Sequence, residues 1–194
     1  MRYSKEHKQA THKRLVEAAS QQFRVRGSEG ISIADLMDEL KLTHGGFYRH
    51  FASKDALYAE ALTFSFEQKL ANLQEAAQKA GRSPQLKAII DHYLSLEHCA
   101  NRADGCPVAA LSAEIARQPA VVRAAFDQGL HAYMAQISPL LPGATEAERQ
   151  RNALALFSGM VGALSVARAV ADKASQAVIL DAARELYTKV YCSA

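Results

Sequence analysis

The chain of 194 residues is poor in the features that mark disulfide-rich, metal-centred or membrane-spanning proteins. Its three cysteines are too few and too irregularly spaced for a disulfide framework or a zinc site. No apolar run reaches the roughly 20 residues that a membrane-spanning helix needs. No apolar signal segment follows the charged N-terminus. We therefore expect a cytoplasmic protein without a membrane segment.

Glycine and proline are also scarce, at 10 and 5 residues, whereas alanine, leucine, glutamate and glutamine are plentiful. Residues of the second group favour helices, so the composition predicts an all-α fold. The longest predicted helix begins with Ser53 as its N-cap and continues to about Ala80, where Gly81 breaks it. Its length of about 28 residues is enough to connect two domains.

The stretch Leu42–Phe51 predicts a very short helix that must meet another surface. Thr43 can cap its N-terminus, and Phe47 and Phe51 lie four positions apart on one inward face. Two adjacent glycines between them cost roughly 1 kcal/mol each in a helix relative to alanine. That cost is understandable if the backbone must come close to something outside the chain.

A second short helix precedes this stretch. Ser32 as N-cap and Asp35 at the third helical position form a capping box, and Lys41 with Leu42 leaves only a tight turn between the two helices. This layout is typical of a helix-turn-helix, whose second helix enters the major groove. The first 30 residues also hold seven lysines and arginines against three glutamates, a bias that suits phosphate binding.

About the first 60 residues resemble the TetR family of bacterial transcriptional regulators. The resemblance is carried by Arg14–Ala19, Phe23, Gly27, Ser32–Leu36, Phe47–Phe51 and Ser53–Leu57. The variant at 42–48, together with Gly105–Leu111, is similar to one subgroup. The resemblance implies a three-helix DNA-binding domain over residues 1–52 and an effector-binding and dimerisation domain over residues 53–194. It further implies a homodimeric repressor that leaves a palindromic double-stranded operator when an effector changes the separation of its two DNA-binding domains.

The residues predicted to contact DNA are Ser32, Thr43, His44, Gly45, Gly46, Tyr48, Arg49, His50 and Lys54. In the family, the positions that match 43–50 and Lys54 contact DNA. Glycine at both 45 and 46 departs from the commoner members, which shifts base reading to His44 and Arg49; arginine can read guanine with two hydrogen bonds. Lys54 lies in the first turn of a helix, where the dipole disfavours a cation, and a bound phosphate would explain it.

Cys106 precedes Pro107 and therefore lies at the start of a predicted helix, a position that favours the thiolate. Two interpretations stay open, a sensor of thiol-reactive compounds and a small packing residue. Some members of the family sense electrophiles or oxidants through a cysteine in this region. Cys99, seven residues earlier, is a candidate disulfide partner or a core residue.

The remaining effector candidates are Tyr93, Phe126 and Arg168. Arg168 is the one charge between Arg151 and Asp172, so it must be paired, lie at a dimer rim or bind an anionic ligand. Five other residues with side chains that can bind metal or transfer protons do not have the spacing of a metal-binding or catalytic motif: His92, Glu97, His98, Glu114 and His131. We therefore predict no metal site, no cofactor and no enzyme activity.

The eighth and ninth predicted helices are expected to form the dimer interface. The eighth, from Thr145 to about Ala171, is apolar nearly all round, and its small residues permit close approach of another helix: Gly159, Gly162, Ala163 and Ala167. One recognition helix buries too little surface for specific binding, so two copies are needed. The competing hypotheses are a small α-helical enzyme or carrier that uses a C-terminal cavity, and an architectural DNA binder without an effector.

Overall fold

The computed structural model describes residues 5–79 and 82–192, with side chains outside 75–84. Its α-helices are α1 (Lys5–Arg26), α2 (Ile33–Glu39), α3 (Lys54–Lys79), α4 (Arg82–Tyr93), α5 (Leu96–Ala100), α6 (Pro107–Ile115), α7 (Ala120–Ile137), α8 (Glu146–Ala169) and α9 (Lys173–Cys192). Two short 3₁₀-helices cover His44–Arg49, here the recognition helix, and Ser138–Leu140. No strand occurs in these ranges, and the all-α prediction is confirmed.

Capping residues set the helix starts that the sequence predicted. The capping box of Ser32 with Asp35 is present at α2, and that of Thr145 with Glu148 is present at α8. Ser53 caps α3, since its hydroxyl accepts the amide of Ala56 at 3.1 Å. The predicted helix break at Gly81 lies outside the described residues.

One predicted helix is divided in the structure. The apolar residues Leu86, Ile90, Tyr93, Leu94 and Leu96 predict one helix that continues through Leu96, but α4 ends at Tyr93. Ser95 then accepts the amide of His98 at 3.1 Å and opens the short helix α5. Serine competes with the helical backbone for hydrogen bonds, so it favours a cap over a helix interior. This break matters for the site, because it places α5 beside the loop that leads to α6.

Two hydrophobic cores share the helix α3. The first core lies under the head, which we define as residues 5–52, and contains Leu15, Ala19, Phe23, Leu36, Met37, Phe47, Phe51, Leu57, Tyr58, Ala61, Leu62, Leu111, Ile115 and Val122. The second core contains Phe66, Leu86, Ile90, Leu94, Tyr133, Ile137, Leu156, Phe157, Met160, Leu164 and Leu180. The first half of α3 therefore closes the core of the head, and its next turns enter the second core. The two cores are therefore connected through one helix.

The helices α8 and α9 bury one face and leave another apolar face uncovered. The exposed apolar side chains are Leu154, Val166, Val178, Leu186 and Val190, each about half exposed or more. Within the described ranges, α8 alone is long and apolar enough to span a membrane, a property that core helices of soluble proteins share. Leu164 on the same helix is fully buried within this chain.

The small residues of α8 serve two different surfaces. A Cβ atom at Gly159 would lie 1.9 Å from the hydroxyl of Tyr187, so this glycine permits close packing of α9 within one chain. Ala167 is likewise buried in the second core. Gly162 has no atom within 4 Å of its Cβ position and lies on the uncovered side. Of these three residues, Gly162 is therefore the one left free to meet another molecule.

Candidate nucleic-acid interface and ligand cavity

A strained residue makes the turn between α2 and the recognition helix. Lys41 adopts a left-handed conformation with φ of 57°, which a residue other than glycine rarely takes. The amide of Leu42 then donates to the carbonyl of Met37 at 2.8 Å and closes the turn. The turn directs the recognition helix across the surface formed by α1 and α2.

The recognition helix is a 3₁₀-helix of six residues. Thr43 takes the N-cap position, but its side chain makes no capping hydrogen bond, so the predicted cap is wrong in this respect. The two glycines weaken the preference for a regular α-helix. Phe47 and Phe51 anchor the segment from below, with ring centroids 5.6 Å apart, as the spacing predicted.

The outer face of the recognition helix points away from the core. His44, Gly45, Tyr48 and Arg49 are exposed, and Tyr48 is 61% exposed. A Cβ atom at Gly45 would have no neighbour within 4 Å. One at Gly46 would lie 3.3 Å from the Thr43 hydroxyl. The fold therefore gives a reason for glycine at 46 but none for glycine at 45.

A groove of about 670 Å³ runs between the start of α1 and the recognition helix. Lys5, Lys8 and Arg49 line it together with His50, so it gathers positive charge. His50 is half-buried, and burial, followed by the nearby His12, Lys8 and Arg49, lowers its pKa. Its Nδ1 atom is buried without a partner. The sequence counted Lys5 and Lys8 only as part of a basic bias, whereas the structure places them beside the recognition helix.

Two predicted DNA contacts already have partners inside the head. Ser32 is exposed, but its hydroxyl accepts the Asp35 amide at 3.1 Å and donates to the Asp35 carboxylate at 2.7 Å. The ammonium of Lys54 donates to the carbonyls of Ile31, at 2.6 Å, and Ser28. The carbonyls, rather than a phosphate, explain a lysine in the first turn of α3. These carbonyls use two of the three ammonium hydrogens, and the contact of Lys54 with a phosphate stays a prediction.

Lys54 binds one side of the turn that contains Ser28 and Ile31. The other side of this turn is bound by α6 and the residues after it. The carboxylate of Glu114 accepts the Ser28 amide at 3.0 and 3.1 Å, and Gln118 donates to the Ser28 hydroxyl at 3.2 Å. Gly27, with φ of +72°, lets Glu114 approach, since a Cβ atom there would lie 2.5 Å from a carboxylate oxygen. The end of α6 is thus attached to the head.

A second cavity, of about 320 Å³, lies in the C-terminal part of the chain. Its lining residues among those described are Phe66, Lys69, Asn72, Leu73, Gln85, Ala88, Ile89, His92, Tyr93, His98, Cys106, Pro107, Tyr133 and Phe157. Of the effector candidates, Tyr93 and Cys106 therefore line it. Phe66 and Lys69 were not predicted to line a cavity, although their spacing with Leu73 along α3 places the three residues on one helical face.

The other effector candidates lie outside the cavity lining. Phe126 packs against Phe66, with ring centroids 5.8 Å apart. Cys99 is buried in the second core. The guanidinium of Arg168 donates to the carbonyls of His98 at 2.9 Å and Cys99 at 3.2 Å, so backbone oxygens satisfy this isolated charge.

Cys106 takes the N-cap position of α6, as predicted, and is buried. Its amide donates to Nε2 of His98 at 3.2 Å, and Nδ1 of His98 lies 2.8 Å from the carbonyl of Tyr93. This pattern fixes His98 as a neutral ring with its proton on Nδ1. Burial is the main cause that lowers the pKa of His98 to about 4, which agrees with a neutral ring. Cys106 also belongs to the lining of the cavity.

Two protein-family models match the chain. One, described as bacterial regulatory proteins of the tetR family, matches residues 15–61. The other, described as a tetracyclin repressor-like C-terminal domain, matches residues 83–183.

Curated relatives match shorter parts of the chain. The HTH-type transcriptional regulator YdgC of Bacillus subtilis is 33% identical over 66 residues, which are 34% of this chain and 33% of that protein. The HTH-type transcriptional regulator Rv0196 of Mycobacterium tuberculosis is 30% identical over 107 residues, 55% of this chain and 54% of that protein. The chain thus spans a third to about half of the length of these relatives.

Solved structures match over nearly the whole length. The reduced form of E. coli NemR superposes with a TM-score of 0.81 at 21% identity, covering 95% of this chain and 98% of that one. A TetR-family regulator from Agrobacterium tumefaciens gives a TM-score of 0.77 at 20% identity, covering 92% and 98%. At these identities the likeness establishes a shared fold.

The contacts of Lys54 lead to a stability prediction. Lys54→Met keeps the length of the side chain but leaves the carbonyls of Ser28 and Ile31 without their donor. We expect the free energy of unfolding in urea to fall by about 1–3 kcal/mol. Lys13→Met, at an exposed lysine of α1, is the matched control and should change it by less than about 0.5 kcal/mol. Equal values for the two variants would contradict a structural role for Lys54.

Proposed function

The chain belongs to the TetR family of bacterial regulatory proteins, and we propose that it is a dimeric transcriptional repressor that binds a palindromic operator and leaves it when an effector binds. We propose that the protein lies in the cytoplasm, where it reaches the bacterial chromosome. Gly45 is the observation that carries the DNA-binding part. It is exposed in the middle of a short helix, where no neighbour among the described residues requires a glycine.

We assign base reading to His44 and Arg49, because both are exposed on the outer face of the recognition helix. Tyr48 and His50, with Thr43 and the backbone at 45 and 46, face the same side. Contacts of this second group to phosphates would fix position without reading sequence. Lys5 and Lys8 in the groove beside His50 add positive charge where the duplex backbone would pass.

We assign the dimer interface to the uncovered apolar face of α8 and α9. The exposed side chains on this face include Val178, at 69% exposure, and Leu186, at 54%. Interfaces of stable dimers are rich in apolar side chains. Two heads held by one interface can reach successive major grooves about 34–36 Å apart on one side of B-DNA. This pairing supplies the surface that a single six-residue helix lacks.

We place the effector in the cavity, either as a reversible small molecule or as a reagent that modifies Cys106. The route to the head is short. α6 begins beside Cys106 in the cavity wall and ends beside Glu114, whose carboxylate binds the turn at Ser28. By linkage, an effector that favours the released form must bind the operator complex more weakly by the same factor.

The first test of this function is Gly45→Ala, assayed on the operator recovered by selecting bound fragments of genomic DNA. A methyl group at 45 meets no atom in the part of the chain that the structure describes, so the free energy of unfolding should change by less than about 0.5 kcal/mol. It lies where DNA must approach, so operator affinity should fall about tenfold or more. Arg49→Ala is the comparison variant and should relax the preference at one or two operator positions. Unchanged operator affinity of Gly45→Ala would contradict the assigned interface.

The dimer interface is tested by two substitutions on the paired helices. Leu186→Glu should give a folded monomer without operator affinity, because Leu186 is 54% exposed and does not support the fold of one chain. Leu164→Glu should instead unfold the chain, because Leu164 is fully buried in the second core. Sedimentation and circular dichroism at micromolar protein distinguish these results. A wild-type protein that is monomeric and well folded at this concentration would refute the interface.

A further inference from the structure

The hydroxyl of Tyr93 is a buried donor without a partner. Tyr93 is 5% exposed and lines the cavity, and its hydroxyl forms no hydrogen bond. Burial is the main cause that raises its pKa, and the Cys106 thiol beside it adds to the effect, although the two groups do not reach hydrogen-bond geometry. A buried hydroxyl without a partner costs about 1–3 kcal/mol. Such a cost is offset if a ligand brings an acceptor.

Positive charge gathers at the same end of the cavity. Lys69 lines the cavity, and its ammonium donates to the carbonyl of Asp104. Arg24 is 4% exposed and donates to the carbonyl of Ala103 at 2.6 Å and the hydroxyl of Ser65 at 2.5 Å. Arg168 binds the carbonyls of α5. All three cations lie close enough to Cys106 to interact with it electrostatically.

Little negative charge balances these cations. Among the described residues, Asp104 is the carboxylate that interacts with both Arg24 and Lys69. It is exposed, and it accepts a hydrogen bond from the side-chain amide of Gln21 at 3.2 Å. The described residues that line the cavity include no aspartate or glutamate. His98 at this end is neutral. Burial, followed by the charge of Arg24, lowers the pKa of Lys69, so an anion beside its ammonium would be favourable.

The rest of the cavity is apolar and aromatic. Phe66, Tyr133 and Phe157 form much of its wall, and the rings of Tyr133 and Phe157 lie 5.2 Å apart. Aromatic walls favour a flat apolar body through edge and face contacts. The volume of about 320 Å³ lies at the small end of the roughly 300–1,000 Å³ range of ligand pockets. A cavity of this volume suits a compact molecule and is too small for a nucleotide cofactor that carries a long attached chain.

We propose that the cavity binds a small aromatic or similarly compact organic acid, with its carboxylate at the Lys69 and Tyr93 end and its apolar body between Phe66, Tyr133 and Phe157. The Tyr93 hydroxyl donates one hydrogen bond to the carboxylate, and the free hydrogens of the Lys69 ammonium supply the charge. Arg24 and Arg168 contribute potential rather than direct contacts, because neither is among the residues that line the cavity. Binding is reversible, and the Cys106 thiol is a neighbour rather than a reactant. This assignment rests on the proposed function only for the role of the ligand as the effector.

The test compares three probes of one shape on the DNA-free dimer: naphthoate, its neutral amide and the corresponding naphthylmethylamine, which is a cation at neutral pH. Calorimetry should give an affinity for naphthoate about tenfold or more above that for the amide, the factor expected from one charge-assisted hydrogen bond. The amine should bind most weakly. This comparison uses the wild-type protein and does not depend on how any variant folds.

Variants then assign the preference to residues. Lys69→Met should remove the advantage of naphthoate over the amide, whereas Lys87→Met, at an exposed lysine of α4 paired with Asp91, should keep it. Tyr93→Phe should weaken naphthoate binding roughly fivefold without loss of stability, because the hydroxyl had no partner in the free protein. The wild-type protein should show no increase in mass after incubation with naphthoate, because binding is reversible and leaves the Cys106 thiol unmodified.

Equal or tighter binding of the amide or amine would overturn the assignment, as would a naphthoate preference that survives Lys69→Met. Operator release is measured separately. Tight naphthoate binding to a protein that shows no specific DNA binding would support the assigned ligand class and refute the repressor function. Release by a quinone but not by naphthoate, in a protein that does not prefer naphthoate, would overturn the assignment and leave the repressor function standing.

Discussion

Three cations held by backbone oxygens, the buried Arg24 and the half-buried Lys69 and Arg168, are the interaction on which the arrangement of this molecule depends. Arg24, Lys69 and Arg168 donate to carbonyls in or beside residues 101–106, the junction loop. A buried cation without a carboxylate partner is costly, and burial lowers the pKa of Arg24 to about 10. Their hydrogen bonds fix the loop where α1, α3, α5 and α8 meet. A movement of the loop would break the hydrogen bonds that Arg24 and Lys69 donate to it.

The same bonds bring the proposed DNA-binding and ligand-binding regions into mechanical contact. Arg24 belongs to α1 of the head, Lys69 lines the cavity, and the junction loop leads into Cys106 and α6. The far end of α6 is attached to the turn at Ser28 through Glu114. The head is therefore bound to the rest of the chain at Arg24, through the junction loop, and at Ser28, through Glu114. An anion beside Lys69 would act directly on the charges around Arg24.

Local signals in the sequence were enough for most of the fold. Both capping boxes, the N-cap at Cys106 and the aromatic anchors of the recognition helix depend on residues at most four positions apart, and all are present. The sequence offers no signal where a partner is distant in the chain. The carbonyls that bind Lys54 lie 23 and 26 residues away, so no local pattern indicated them. Leu164 and Leu186 are equally apolar in the sequence, but only the three-dimensional packing separates a core residue from an exposed one. The cavity is lined by residues from the six helices α3 to α8, an arrangement that no single pattern specifies.

Hydrogen exchange of the DNA-free and operator-bound dimer tests the coupling through the junction loop most directly. The informative amides are those of Gly105, which donates to Arg102, and Cys106, which donates to His98. Both lie outside the head. If the head and the cavity are coupled through the loop, operator binding will change the exchange rates of these amides as well as those of the recognition helix. A change confined to residues 5–52, with the junction loop and the cavity wall unaffected, would contradict the coupling.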